Sequence, residues 1–308
     1  MENVNLTSVS GKPLRVYVWP VENPKGAVQL VHGMAEHMGR YDRLARALND
    51  AGYAVTGHDH LGHGPSAQKG ELGYFGPENG WDHVIRDIRQ VTDYMKQRFP
   101  DVPCALLGHS MGSFAVREYL IRWGNGLDAC VISGTGWHPA ALASSARAMA
   151  AVCGAASWTK PANAVNKMGF GSYNKSFEPA RTPFDWLTRD EKEVDKYIAD
   201  PLCGFTFTAR AYYDMFGGLK ALSDLKRLAG MPKDLPVYFV SGSMDPVGGS
   251  GTGVNTVAGQ FRNAGMKDVT VRLYEGGRHE MFNEINRDQV TADLIAWLDS
   301  RLEKKQSA

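Results

Sequence analysis

Ser110 stands between two glycines in "ALLGHSMGSFAVREYL", residues 105–120, where an apolar run stops at Gly108-His109-Ser110-Met111-Gly112 and a helical pattern starts at once. A serine hydroxyl is a weak nucleophile near neutral pH. To attack a carbonyl it needs a base for its proton, a group that orients the base, and donors for the oxyanion that develops. A sharp strand–turn–helix would lift the hydroxyl clear of its neighbours, and the chain is then so crowded that small residues are needed two before and two after the serine. Gly108 and Gly112 meet that need, and the Met111 N–H at the helix start would aim at the new charge. With 34 glycines in the chain the pentapeptide arises too readily by chance to stand alone, so its meaning depends on partners.

Those partners follow in order. Asp245 closes "VYFVSGSMD", and Pro246 ends the extended run. His279 comes after "VTVRLYEGG", in a glycine-loosened loop before a terminal helical pattern. Singly, Asp245 reads equally as a turn residue or cap, and His279 as an ordinary loop histidine. Jointly, Ser110, Asp245 and His279 occupy three strand ends in the order of α/β-hydrolases, which chymotrypsin-like and subtilisin-like enzymes do not share. They read as a catalytic triad. A second oxyanion donor is expected from the Met34 N–H after "AVQLVHG" (27–33), where His32-Gly33 also reads as a tight turn.

The elements that must position these groups alternate along the chain. Strands are expected at Leu14–Trp19, Ala27–Gly33, Tyr53–Asp59, 104–110, Leu127–Gly136, Pro236–Asp245 and Val269–His279, with helical patterns at Tyr41–Gly52, His83–Phe99, after Ser110, around Val254–Ala264 and at Asn283–Leu302. Continuous apolar strands separated by helices predict a mostly parallel sheet covered on both faces. The rhythm breaks from Trp137 to about Ser223. That interval has no convincing strand, yet it holds 13 of the 31 Phe, Trp and Tyr residues, which marks it as an inserted helical cap. Within it "NKMGFGSYNKS" (Asn166–Ser176) reads as a mobile loop. The expected organisation is therefore a core domain of 1–136 and 224–308, with 137–223 as the cap; most of its aromatics would serve packing.

Composition sets the class. A 43% hydrophobic and 22% charged chain of 308 residues is that of an ordinary soluble protein able to bury a large core. A net charge of +1 gives no electrostatic reason to expect nucleic acid or an anionic membrane as the main partner. The N-terminus lacks the basic start and apolar core of a signal peptide, and the longest uncharged run, 129–146, is interrupted by Gly134, Gly136 and Pro139. Cys104, Cys130, Cys153 and Cys203 lack C-x-x-C spacing, so reduced thiols in a cytoplasmic protein are expected.

"HGMAEHMGRY" (32–41), "DHLGHGPS" (59–66), "GHSMG", "SGSMDPVG" (241–248) and "GGRHEMFNE" (276–284) together resemble the motif set of the monoacylglycerol lipase and lysophospholipase group of α/β-hydrolases, and the segment 185–208 is similar to bacterial members. The resemblance spans nearly the whole chain. It implies serine hydrolase chemistry with Ser110 as nucleophile, Asp245 and His279 completing the triad, and Met34 and Met111 as oxyanion donors. It also implies that Glu36 and Arg40 help bind the polar head of the substrate. The group often reads D-x-R-G-H-G-R-S, whereas Leu61 and Pro65 stand here where the arginines would be, so head-group specificity stays open.

Three further readings are weighed beside this one. In "HDHLGH", His58, His60 and His63 approach the H-x-H-x-D-H spacing of binuclear metallohydrolases, but Gly62 takes the place of the required Asp. A loop at the pocket mouth, with His60 or His63 hydrogen-bonded to neighbours, is expected instead, and no metal or organic cofactor. A binding protein on the same fold would have no use for a complete triad. Amide or peptide hydrolysis by the same triad is the runner-up to carboxylic esters of medium or long acyl chains. Phe205, Phe207, Tyr212, Met215 and Phe216 are candidates for the acyl wall. The expected partner is a small ester or lipid, with transient membrane or micelle contact through the cap and oligomeric state left open.

Overall fold

The computed structural model describes residues 1–306. Its strands are β1 (Glu2–Thr7), β2 (Pro13–Trp19), β3 (Gly26–Val31), β4 (Tyr53–His58), β5 (Cys104–His109), β6 (Ala129–Ser133), β7 (Val237–Gly242) and β8 (Val269–Tyr274). Its helices are α1 (Asp42–Asp50), α2 (Gly80–Arg98), α3 (Met111–Trp123), α4 (Ala140–Ala156), α5 (Asn163–Phe170), α6 (Glu191–Ala199), α7 (Ala209–Leu222), α8 (Thr252–Asn263) and α9 (Arg287–Gln306). The strands form one sheet in the order β1-β2-β4-β3-β5-β6-β7-β8. Only the pairs β1–β2 and β2–β4 are antiparallel. The mostly parallel α/β architecture expected from the alternation is the one observed.

Every residue of β3 to β7 is buried, which is why these segments are apolar without alternation. On one face Val84, Ile88, Val116, Tyr119, Val257 and Phe261 bring α2, α3 and α8 into a shared core. On the other, Leu44, Leu48, Leu294 and Leu298 do the same for α1 and α9. The strand expected first, at Leu14–Trp19, is the second. β1 precedes it as an edge strand whose exposed Glu2, Asn3, Asn5 and Thr7 flank half-buried Val4 and Leu6, a polar pattern that hides an edge strand from apolar-run reasoning.

Between β6 and β7 the chain builds α4 to α7, and no strand of the sheet among the described residues comes from this interval. Helix α4 packs along α7, and α7 reaches the core through Tyr212, Met215 and Leu219. The segment Asn166–Ser176 is largely helical, unlike the loop expected. It is divided between α5 and a 3-10 turn at Tyr173–Phe177. Burial of Val165, the Tyr212 hydroxyl on Asn166 Oδ1 at 2.7 Å, and the Tyr173 ring against Trp186 override its Gly and Asn content. The four cysteines are unpaired. No helix among the described residues is long and apolar enough to cross a membrane.

Candidate active site

β5 ends at His109 and α3 begins at Met111, leaving Ser110 alone in the bend with φ 53° and ψ −119°. An L-residue there is strained, and its neighbours hold it. The Ser110 N–H donates to Ser133 O (2.9 Å) and the Ser113 hydroxyl donates back to Ser110 O (2.6 Å). A Cβ on Gly112 would lie 2.3 Å from Val31 O and 2.5 Å from His32 O, and one on Gly108 would lie 2.6 Å from Gly112 O. The crowding inferred from the motif is present, and the atoms in the way are backbone carbonyls.

Asp245 lies three positions beyond the end of β7, in a turn, and not at the strand terminus expected. Its buried carboxylate places both oxygens 3.0 Å from His279 Nδ1 and also accepts the Val247 N–H (2.9 Å) and the Ser241 hydroxyl (3.1 Å). Burial disfavours a charged imidazole at His279, but the Asp245 carboxylate, with Glu280 and Glu36 behind it, outweighs burial and holds its pKa above the ordinary value. For Asp245, burial is likewise outweighed by His279 and the donated hydrogen bonds, so its pKa is lowered. The neighbouring His109 ring, 4.7 Å from that of His279, is driven down to about 4 by burial and by His279, and stays neutral. Ser110 and His279 border the same cavity. No direct hydrogen bond joins Ser110 Oγ to the imidazole, a link that commonly tightens only once substrate is held.

The loop after β3 is fixed on both sides of Met34. The Gly33 N–H donates to Glu36 Oε1 (2.6 Å), and the Ala35 N–H donates to His63 Nε2 (3.2 Å) with Ala35 at φ 54°. Among the described residues the Met34 and Met111 N–H groups have no acceptor. Both residues border the cavity. His58, His60 and His63 are buried behind this loop and not at the mouth of a pocket. His32 Nε2 accepts the His60 N–H (3.0 Å), as His63 Nε2 accepts the Ala35 N–H, so these two lone pairs shape backbone. Among the described residues the one grouping with metal-ligand proximity is His37, Asp200 and Cys203. There His37 Nδ1 accepts the Gly39 N–H (3.2 Å), which leaves the ring proton on Nε2 to meet Asp200 Oδ2 at 2.8 Å. That pair is complete without an ion.

The cavity beside Ser110 has a volume of about 880 Å³. Phe205, Met215 and Phe216 border it, as expected of an acyl wall, together with Phe114 and Trp186. Phe207 and Tyr212 do not. Phe207 packs edge-on against Phe75 and His63, and Tyr212 stacks on Phe216 from behind while its hydroxyl holds Asn166. Arg40, expected at the polar head, is also absent from the cavity wall. Its guanidinium is spent on Glu36 (2.7 Å) and on both oxygens of Glu280 (2.7 Å each), and Glu36, though bordering the cavity, is saturated by Arg40, Gly33 and Tyr41. Leu61 is buried in the core and Pro65 is exposed. Glu280 and Trp186 escaped the sequence reading. Glu280 lies in the quoted stretch "GGRHEMFNE" beside His279, and Trp186, whose ring lies 5.1 Å from that of His279, in the quoted segment 185–208, but residue type and spacing singled out neither.

The family model described as "Serine aminopeptidase, S33" matches residues 22–286. The chain is 31% identical to the monoglyceride lipase of Mus musculus, covering 97% of this chain and 90% of that one. It is 30% identical to the monoacylglycerol lipase of Mycolicibacterium smegmatis, covering 97% of each. Among solved structures, a thermostable carboxyl esterase from Bacillus coagulans in complex with glycerol superposes with a TM-score of 0.90 at 27% identity, over 98% of both chains.

Proposed function

The chain belongs to the S33 serine aminopeptidase family of hydrolases, and from its likeness to monoacylglycerol lipases and a carboxyl esterase within that setting we propose that it cleaves carboxylic esters joining a medium or long acyl chain to a small polar alcohol, of the monoacylglycerol or lysophospholipid type. One observation carries the reading: Ser110, and the imidazole that Asp245 orients, open onto a single large cavity beside two unpaired backbone N–H groups. His279 takes the Ser110 proton as Oγ attacks the ester carbonyl. The Met34 and Met111 N–H groups receive the oxyanion. The tetrahedral adduct collapses as His279 protonates the departing alcohol, leaving an acyl-serine. Water, deprotonated by His279, then attacks the acyl carbon, and the proton returns to Ser110 as the acid leaves. The insertion over residues 137–223 acts as a cap, with Phe205, Met215 and Phe216 shielding the acyl chain from water.

The family description favours a second reading, hydrolysis of amides at an N-terminal residue, because the same triad serves both bonds. Turnover of p-nitrophenyl esters of graded length against aminoacyl anilides, by the parent chain and Ser110→Ala, tests both. Ester cleavage that rises with acyl length and is lost, with fluorophosphonate labelling, in Ser110→Ala is expected. Near-normal ester turnover in Ser110→Ala overturns the assignment, and faster anilide cleavage overturns the substrate class.

A further inference from the structure

The loop that carries the Met34 N–H and the loop that carries His279 are distant in sequence, yet one buried ion triad joins them. Glu36 accepts the Gly33 N–H at 2.6 Å, so its carboxylate fixes the His32–Gly33 peptide, one residue before the peptide that carries the Met34 N–H. Arg40 bridges from Glu36 to Glu280, the residue after His279, with all three contacts at 2.7 Å. The far side of Glu280 is also held: Asn283 Nδ2 donates to Oε2 (2.9 Å), and the Glu280 N–H donates to Leu187 O (2.7 Å). The Arg40 guanidinium rests on the Tyr197 ring, 4.9 Å from its centroid. The side chains of Glu36, Arg40 and Glu280 are 4%, 11% and 5% exposed, so the ions are locked in place and little screened by water.

Resting on the triad reading above, we propose that Arg40 and Glu280 are positioning residues: a charge clamp that fixes the distance and angle between the oxyanion donor at Met34 and the imidazole at His279. A bidentate guanidinium–carboxylate pair allows one relative orientation, which a lysine's single point of charge does not impose. The clamp also carries a net negative charge, two carboxylates against one guanidinium, beside His279. The other charged or titratable groups facing that imidazole are Asp245 from the turn after β7, His109 from the end of β5 and, through Asp245, Tyr173 from the cap. Glu280 and Glu36 are among the groups that raise the His279 pKa.

Two substitutions separate geometry from charge. Arg40→Lys keeps the positive charge but removes the two-point grip. The expected result is a kcat lowered about tenfold or more with KM within about twofold, and an unshifted acid limb of kcat/KM. Glu280→Gln keeps the shape and an acceptor but removes one negative charge. It should move the acid limb of kcat/KM to lower pH by about half a unit, because the imidazolium loses a neighbouring carboxylate. Thermal midpoints are measured alongside. A residue that only supports the fold would lower the midpoint and leave the acid limb and the kcat-to-KM split of the folded fraction where they were; that result overturns the proposal. Full activity of both variants also overturns it. If Ser110→Ala itself stays active, the triad reading falls, whereas an inactive Ser110→Ala with unaltered clamp variants sinks the clamp alone. Asn283→Ala, which strips one donor from Glu280 and breaks no ion pair, should shift kcat in the same direction by a smaller factor and keeps the test usable if either ionic variant fails to fold.

Discussion

Replacing Asp245 with asparagine removes one charge from the centre of the site and almost no volume. Asp245 oxygens lie 3.0 Å from His279 Nδ1. During acylation the neutral imidazole becomes an imidazolium, so this attraction exists mainly in the transition state. With an effective dielectric of about 20 and charge centres slightly further apart than the bonded atoms, it is worth about 4–5 kcal/mol, or three to four powers of ten in rate, roughly. The amide has a second effect. One carboxylate oxygen also accepts the Val247 N–H, which cannot turn away, while the other accepts the Ser241 hydroxyl, which can rotate to become an acceptor. The new NH2 group will therefore take the Ser241 side. There it confronts His279 Nδ1 and favours the tautomer whose proton points toward Ser110, which cannot act as a base. Stopped-flow release of p-nitrophenol from a short ester, in a single turnover, reads the acylation step directly. The expected outcome for Asp245→Asn is a loss of about 10³–10⁴ in acylation rate with binding of the ester unchanged. A folded variant within tenfold of the parent would refute the role given to Asp245.

Three further outcomes follow from the same site. Because His279 is held above the ordinary imidazole value, activity should fall as pH drops through a midpoint above about 6.5, and a profile flat down to pH 5 would exclude His279 as the base. The same pair acts on stability in the opposite sense. A raised folded pKa stabilises the fold fully below the unfolded value of about 6.5, and that contribution is lost as pH rises through the folded value, so the thermal midpoint of the parent, compared with His279→Gln, should show a difference that shrinks on going alkaline. At the turn, the Cβ of Gly112→Ala would sit 2.3 Å from a backbone carbonyl of β3, which forces β3 and α3 apart. A stability loss of about 1–3 kcal/mol and a fall in kcat on the order of a hundredfold are expected, measured by denaturant melts and ester turnover, and an unaltered variant would show that the crowding is relieved elsewhere.

The sheet was legible because strands buried on both faces must be continuous apolar runs, and β3 to β7 are such runs. The bend at Ser110 was legible because close packing of β3 against α3 demands glycine at fixed offsets. The structure sets Asp245 against His279 as the chain order suggested, with Asp245 displaced from its strand end into the following turn. Less was visible where the decisive neighbour is remote. Nothing local distinguishes Phe205, which borders the cavity, from Phe207, which points into the core behind it; two positions apart, their surroundings are set by α7 and the 58–63 loop.

By its own patterning, the sequence determined the buried strands, the helices of the sheet layers and which residue types could attack a carbonyl, because periodicity, glycine spacing and chemical identity are properties of short stretches; the polar edge strand β1 and the helical turn structure of 166–176 lay outside that pattern. Tertiary structure alone decided what each charged group does. The motif resemblance assigns Arg40 to the substrate's polar head, and the fold instead brings Glu280 to it across 240 positions. Desolvation of all three ions then made that pairing compulsory, since a buried charge without a partner costs several kcal/mol, about 3–5 on removal of one member.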